Sequence, residues 1–323
     1  MNPRPAVARD TVSQTIDEGQ TFAALKASGY LRRGRMVASA MQVILFACAA
    51  LSVVITASIL WVLVSESWMF FQQIPLVAFL TDTQWTPAFT NARYGILPLL
   101  TATLWAAGIA MAVATPLGLV LSVYLSEFAQ PRVREVLKPI LEMLAAVPTV
   151  VFGYFALLFL TPLAKQFIPG LSGFNLLVPG FVMGIMILPY VVSISEDAMR
   201  AVPMTLREGA YALGMSRWRT AFTVIIPGAF SGVTAAYLLA FARAVGETMV
   251  VAIAAGQNPN LTGDPREGAA TITAYIVQMS LGDLPHGSLA YSTIFATGLV
   301  LFIITLGFNV LGFFLRRKFR EAY

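Results

Sequence analysis

The sequence predicts an all-α, polytopic membrane helix bundle with about six transmembrane helices, and three observations predict it. Of 323 residues, 58% are hydrophobic and only 11% are charged, against roughly 25% charged in an ordinary soluble domain. The apolar residues are gathered into runs long enough to cross a bilayer, which takes about 20 residues of helix. The basic residues stand in short clusters beside those runs, as membrane flanks do. A chain so poor in charge cannot cover a water-facing surface. The net charge of +5 therefore reads as membrane flanking, and no nucleic-acid partner is expected.

Apolar runs bounded by charge or by Pro/Gly clusters give six spans, at about 38–64, 97–125, 140–160, 176–195, 229–256 and 289–315. Pro148 and Pro189 fall inside the third and fourth. In a membrane helix the freed backbone groups are re-satisfied by neighbours, so both spans are kept with kinks. The division that follows is a tail at 1–35, an anchor helix at 36–66, an external loop at 67–96, a core of five helices at 97–315 containing a long loop at 196–228, and a tail at 316–323. The first apolar run is too long for the core of a cleaved signal, so it is expected to stay as an anchor.

Lys and Arg set the orientation. Seventeen of the 21 fall in the N-terminal tail, the 126–139 loop, the 196–228 loop and the C-terminal tail, whereas Arg93, Lys165 and Arg266 lie on the other side and Arg243 lies within a span. By the positive-inside rule both termini and the 196–228 loop are cytoplasmic. Between the fifth and sixth spans a turn-rich stretch, Asn258 to Pro265, precedes a mixed segment, Ala269 to Leu281. A short interfacial helix capping the bundle is expected there.

Absences narrow the chemistry. None of the four lysines follows a glycine, so there is no phosphate loop for nucleotide. The single cysteine, Cys48, lies in an apolar run and the single histidine, His286, in a polar loop, so neither a disulfide within the chain nor a Cys/His metal site is expected. No pair of carboxylates sits deep in the apolar spans. The chain reads as non-catalytic and without a cofactor, and active transport would draw its energy from another subunit.

Two stretches carry specific chemistry. The 196–228 loop holds Glu208-Gly-Ala-Tyr-Ala-Leu-Gly214 and then Val224-Ile-Ile-Pro227. An acidic residue, small residues and a helix-stopping glycine predict a short exposed helix after a turn. The second stretch is Phe241-Ala-Arg243-Ala-Val-Gly246-Glu247-Thr248-Met249, inside the fifth span. Arg243 and Glu247 stand four apart and are therefore expected to share one helix face. An ionisable residue within the membrane is expensive, and is a functional candidate with a named partner. The planar fork of Arg243 suits an oxyanion by donating two parallel hydrogen bonds. Glu247 would balance its charge when the path is empty, and Thr248 adds a hydroxyl.

The loop resembles the EAA loop of ABC-importer permeases. Glu208, Ala210, Gly214 and Pro227 match that pattern, Val224 and Ile226 match conservatively, and Gly209 departs at the first alanine. The resemblance implies a coupling helix that docks on an ATPase subunit through Glu208, Gly209, Ala210 and Gly214. Over the stretch from Gln84 to the C-terminus the chain further resembles phosphate permeases of the PstC type. The anchors are Tyr94-Gly-Ile-Leu-Pro98, Thr115-Pro-Leu-Gly118 with Tyr124-Leu-Ser-Glu127, Val147-Pro-Thr-Val-Val-Phe-Gly153 and Arg243 to Met249. This resemblance implies the type I ABC-importer architecture and a substrate path through Arg243, Glu247 and Thr248. It also implies phosphate as cargo, a PstA-like sister permease, a PstB-like ATPase dimer and an external phosphate-binding protein, all at the bacterial inner membrane. Arg243 alone would serve phosphonate, sulfate or molybdate equally. A secondary transporter, the remaining alternative, would carry no ATPase-docking loop and more polar groups at midplane.

Overall fold

The computed structural model describes residues 29–318 apart from Ala88, Asp283, Leu284 and His286. Of the expected tails at 1–35 and 316–323, residues 1–28 and 319–323 lie outside the described residues, as does the loop histidine. The chain divides into two units, one up to Val62 and one from Leu63 onward. In the first, residues 29–62 are helical throughout, the opening part of α1 (Gly29–Gln73). That helix starts earlier and ends later than the expected anchor at 36–66.

In the second unit the elements after α1 are α2 (Leu76–Thr81), α3 (Leu97–Phe128), α4 (Pro131–Ala145), α5 (Thr149–Lys165), α6 (Leu177–Arg200), α7 (Met204–Ala212), α8 (Arg217–Gly228), α9 (Phe230–Val245), α10 (Met249–Ala254), α11 (Ile272–Ser280) and α12 (Leu289–Lys318). Among the described residues four helices are long and apolar enough to cross a membrane unaided: α1, α3, α6 and α12. The number rises to six if the bent pairs α4–α5 and α8–α9 each count as one span.

The centre of the unit is α3 packed against α6. Pro98 in the first turn of α3 suits a position whose amide has no helical partner. Below it Ala102, Ala106, Ala110, Ala114 and Gly118 repeat every four residues and are buried, which puts a small-residue stripe on one face. Opposite stand Gly184, where an added Cβ would come 2.7 Å from that of Val113, and Val191, whose Cγ1 lies 2.5 Å from where a Cβ on Gly118 would sit. Small residues on both sides let the backbones approach, which is how helices associate where lipid removes most of the hydrophobic drive. Met183, Ile187, Val250 and Val251 complete this buried cluster. At the N-terminal end of α3 a second cluster of Phe70, Phe79, Trp85, Ile96, Leu99 and Tyr275 forms an aromatic cap. Its rings meet edge to face, Trp85 on Tyr275 at 5.1 Å.

Three expectations need correction. The third span does not run over 140–160: the helix ends at Ala145, and α4 and α5 meet at 84°. Pro148 has no amide to donate and pushes Val147 out of helical geometry, so the chain turns there rather than kinking. Pro189, in contrast, sits inside the unbroken α6. The fifth span, expected over 229–256, consists of α9 and α10 with a break at 246–248. Finally, α11 does not lie along a surface, because Ile272 to Tyr275 are buried. The Ile272 amide donates to Thr103 Oγ1 of α3 at 3.0 Å, and the Tyr275 and Thr293 hydroxyls are 2.6 Å apart.

Candidate functional site

Arg243 occupies the last turn of α9. Its guanidinium carbon lies 4.3 Å from the centre of the Tyr190 ring, over its face. Such stacking is electrostatically favourable and leaves the in-plane N–H donors pointing outward. Arg243 is exposed, and among the described residues no carboxylate pairs with it. A fixed, unpaired guanidinium with free edges can take an oxyanion in two parallel hydrogen bonds. Tyr190 was not anticipated from the sequence. The signal was an aromatic residue directly after a proline inside an apolar span.

Glu247 does not share a helix face with Arg243, because α9 ends at Val245 and the i, i+4 relation ends with it. It is 9% exposed, and its carboxylate accepts weakly from the Val250 amide at 3.5 Å. Its carbonyl accepts from Thr273 Oγ1 at 2.7 Å. Glu247 therefore caps the start of α10 and ties the break to α11. The Thr248 hydroxyl donates to the Gly246 carbonyl at 3.2 Å, a local bond of the kind threonine often makes.

On the side rich in basic residues, α7 is a nine-residue helix between two turns. Glu208 and Gly209 are exposed, and a Cβ on Gly209 would meet nothing within 4 Å. Ala210 faces the other way, at 6% exposure, so its small size seats the helix on the body instead of offering a surface. Gly214 ends the helix at φ 77°. Its amide donates to the Tyr211 carbonyl at 2.9 Å and that of Met215 to the Ala210 carbonyl at 3.1 Å. These two bonds are the Schellman ending, which requires a left-handed residue here.

Two buried carboxylates on this side of the fold, Glu127 and Glu196, gather ion pairs, and sequence reasoning had identified none of them. Arg207 of α7 pairs with Glu127 at 2.7 Å. Glu196, fully buried, takes Arg134 at 2.5 Å, Lys138 at 3.2 Å and Arg200 at 3.8 Å, while Lys138 also reaches Asp197 at 3.0 Å. Lys138 joins α4 to α6 in this way. Arg200 stands four residues from Glu196 on the same helix, but Arg134, Lys138 and Arg207 meet carboxylates 62, 59 and 80 residues away, so no local spacing marks those. On the opposite side Asp264 forks onto Arg266, and that hydrogen bond, with the Arg266 amide, holds the Asp264 carboxyl below the usual carboxylate range.

Comparison with known proteins gives the family and the fold. The family model described as "Binding-protein-dependent transport system inner membrane component" matches residues 114–321. A probable ABC transporter permease protein, YqgH, of Bacillus subtilis is 36% identical over 86% of this chain and 88% of its own length. The phosphate transport system permease protein PstC of Haemophilus influenzae is 32% identical over 80% of this chain and 86% of its own. Among solved structures, a chain of a bacterial ABC transporter involved in import of the acidic polysaccharide alginate superposes with a TM-score of 0.58. It does so at 14% identity, over 84% of this chain and 96% of that one, a likeness of fold.

Proposed function

This chain belongs to the binding-protein-dependent transport system inner membrane component family, and from that premise we propose that it is the permease subunit of an ATP-driven phosphate importer. It is a multi-pass inner membrane protein. The observation that carries the substrate reading is Arg243, stacked on Tyr190 with its donors unpaired. The PstC relatives support phosphate over other oxyanions. In this reading phosphate passes Arg243 near the break at 246–248, with Glu247 and Thr248 shaping that break. A single arginine holds the anion, loosely enough that it can leave again.

The protein works with a PstA-like sister permease, a PstB-like ATPase dimer and an external phosphate-binding protein. The core at 97–315 lines the path, the loop at 67–96 is external, and both termini and the 196–228 loop are cytoplasmic. ATP is hydrolysed on the separate subunit, which docks on the exposed face of α7 through Glu208, Gly209 and the turn at Gly214, while Ala210 seats the helix from behind.

Uptake of labelled phosphate, measured per assembled complex in cells, tests the substrate assignment. Arg243→Lys replaces the fork by a point charge and is expected to lower uptake at least tenfold with assembly unchanged. Wild-type uptake by that variant would remove Arg243 from the path. Competition by sulfate, molybdate or phosphonate as strong as by phosphate would move the substrate to that anion.

A further inference from the structure

The contact between α7 and the membrane helices is concentrated in one side chain. Arg207 lies in the middle of α7 and is only 11% exposed, while Glu127 is 4% exposed. One arm of the guanidinium, Nη1, donates to Glu127 Oε1, and the other, Nη2, donates to the Met199 carbonyl, both at 2.7 Å. Glu127 closes α3 and Met199 is in the last turns of α6, so a single planar group bridges the ends of the two helices that form the centre of the fold. Ser126 Oγ donates to the same Glu127 oxygen at 2.7 Å, which fixes the carboxylate's rotamer.

The backbone beneath Glu127 is also unusual. Tyr124 to Phe128 form a π-helical turn, closed by the Ala129 amide on the Tyr124 carbonyl at 2.8 Å. Such turns are inserted where a side chain must be re-aimed, and are frequent at functional sites. Here the turn ends a helix of 32 residues.

We infer that Arg207 and Glu127 form a positioning pair that carries movement of α7 into the ends of α3 and α6, and hence into the substrate path. A helix that only rested on the body through Ala210 could slide when pushed. One held by two charge-assisted bonds in a nearly dry site cannot shift without dragging both partners, because separating them leaves an uncompensated buried charge. Glu196, Arg134, Lys138 and Arg200 are paired among themselves, and Glu208 points to the exposed face. The inference rests on the reading of α7 as the docking helix.

The test uses the full complex reconstituted in proteoliposomes, with three quantities measured: ATPase subunit retained, ATP hydrolysed, and phosphate moved. Arg207→Met is expected to retain the ATPase subunit within twofold and to go on hydrolysing ATP, but to move phosphate about tenfold less per ATP. That falls within the 5–150-fold span of ordinary coupling between sites. Glu127→Leu should behave alike, and the double variant should be no worse than either single one, because both remove the same link. If Arg207→Met fails to assemble, Arg207→Lys and Glu127→Gln complete the same cycle. Normal phosphate moved per ATP, a loss that tracks loss of the ATPase subunit, or additive effects in the double variant would each overturn the pair. Gly209→Trp tests the docking reading itself, since the position is exposed and a Cβ there meets nothing within 4 Å in this chain. If that variant keeps the ATPase subunit, docking on α7 fails, whatever the pair does.

Discussion

Replacing Gly214 by alanine isolates a single energetic cause, because a Cβ at this position would find no atom within 4 Å. No clash enters, and only the backbone at φ 77° does. Holding an L-residue left-handed costs about 1–2 kcal/mol. Alanine's smaller freedom in the open chain returns about 0.4–1 kcal/mol of that, so roughly 1 kcal/mol remains. At about 0.6 kcal/mol for RT, that is close to a fivefold shift toward the frayed end of α7. The two amides that define the ending, at 214 and 215, report this shift directly through hydrogen exchange, and both should lose about fivefold in protection. Gly214→Asn should lose less than twofold, since asparagine tolerates the left-handed region. Docking of the ATPase subunit should follow the same order, glycine and asparagine ahead of alanine. Equal loss for alanine and asparagine, or none for alanine, would refute the backbone argument and return Gly214 to a steric role.

Four further outcomes follow from the geometry. Glu196→Gln leaves Arg134, Lys138 and Arg200 without their shared carboxylate; the cost should be about 3 kcal/mol, at the low end for a broken buried pair because water reaches its partners, read as a lower midpoint of thermal unfolding in detergent. Tyr190→Leu removes the ring beneath Arg243, a contact worth about 0.5–2 kcal/mol, so the KM for phosphate should rise about two- to thirtyfold, while Tyr190→Phe stays near wild type. Asp264 has its carboxyl lowered by Arg266, so its contribution is present above the ordinary carboxylate value and lost as pH falls through the depressed one. Exchange of the Leu176 and Leu177 amides, which donate to the Pro265 carbonyl, should accelerate below about pH 4, and Asp264→Asn should abolish that dependence. A reporter near Arg207 should read as cytoplasmic and one near Pro265 as external; the reverse would overturn the orientation.

What the sequence made legible is what depends on neighbours in the chain. Apolar runs located α1, α3, α6 and α12 because an 18-residue window is enough to recognise a span. The helix at Met204–Ala212 and its glycine ending were legible for the same reason: a Schellman turn involves only a handful of consecutive residues. Two proline-containing spans looked alike in sequence and ended differently. Pro189 is itself buried in the helix that packs on α3, and α6 runs unbroken through it, whereas Pro148 follows a helix bearing Arg132, Arg134, Lys138 and Glu142, which no apolar face could hold across a bilayer. The break at 246–248 was hidden because Arg243 and Glu247 fit the i, i+4 rule, and nothing nearby in sequence announces that the Glu247 carbonyl is taken by Thr273.

That break alters what Arg243 can do. On a continuous helix Glu247 would lie within reach of the guanidinium, and an arriving anion would have to displace a carboxylate already in place. With α9 ending at Val245, Glu247 is drawn away to cap α10, and the aromatic face of Tyr190 takes over the task of holding the guanidinium. An aromatic ring stabilises a cation without occupying its hydrogen-bond donors, which a carboxylate cannot do. The site is thereby positioned and yet unsatisfied, the condition a transient anion needs. The same division recurs on the opposite side of the fold, where Arg207 is fully engaged and holds a helix still. Two arginines of the same chemistry are set to opposite tasks by whether a carboxylate or a ring stands beside them.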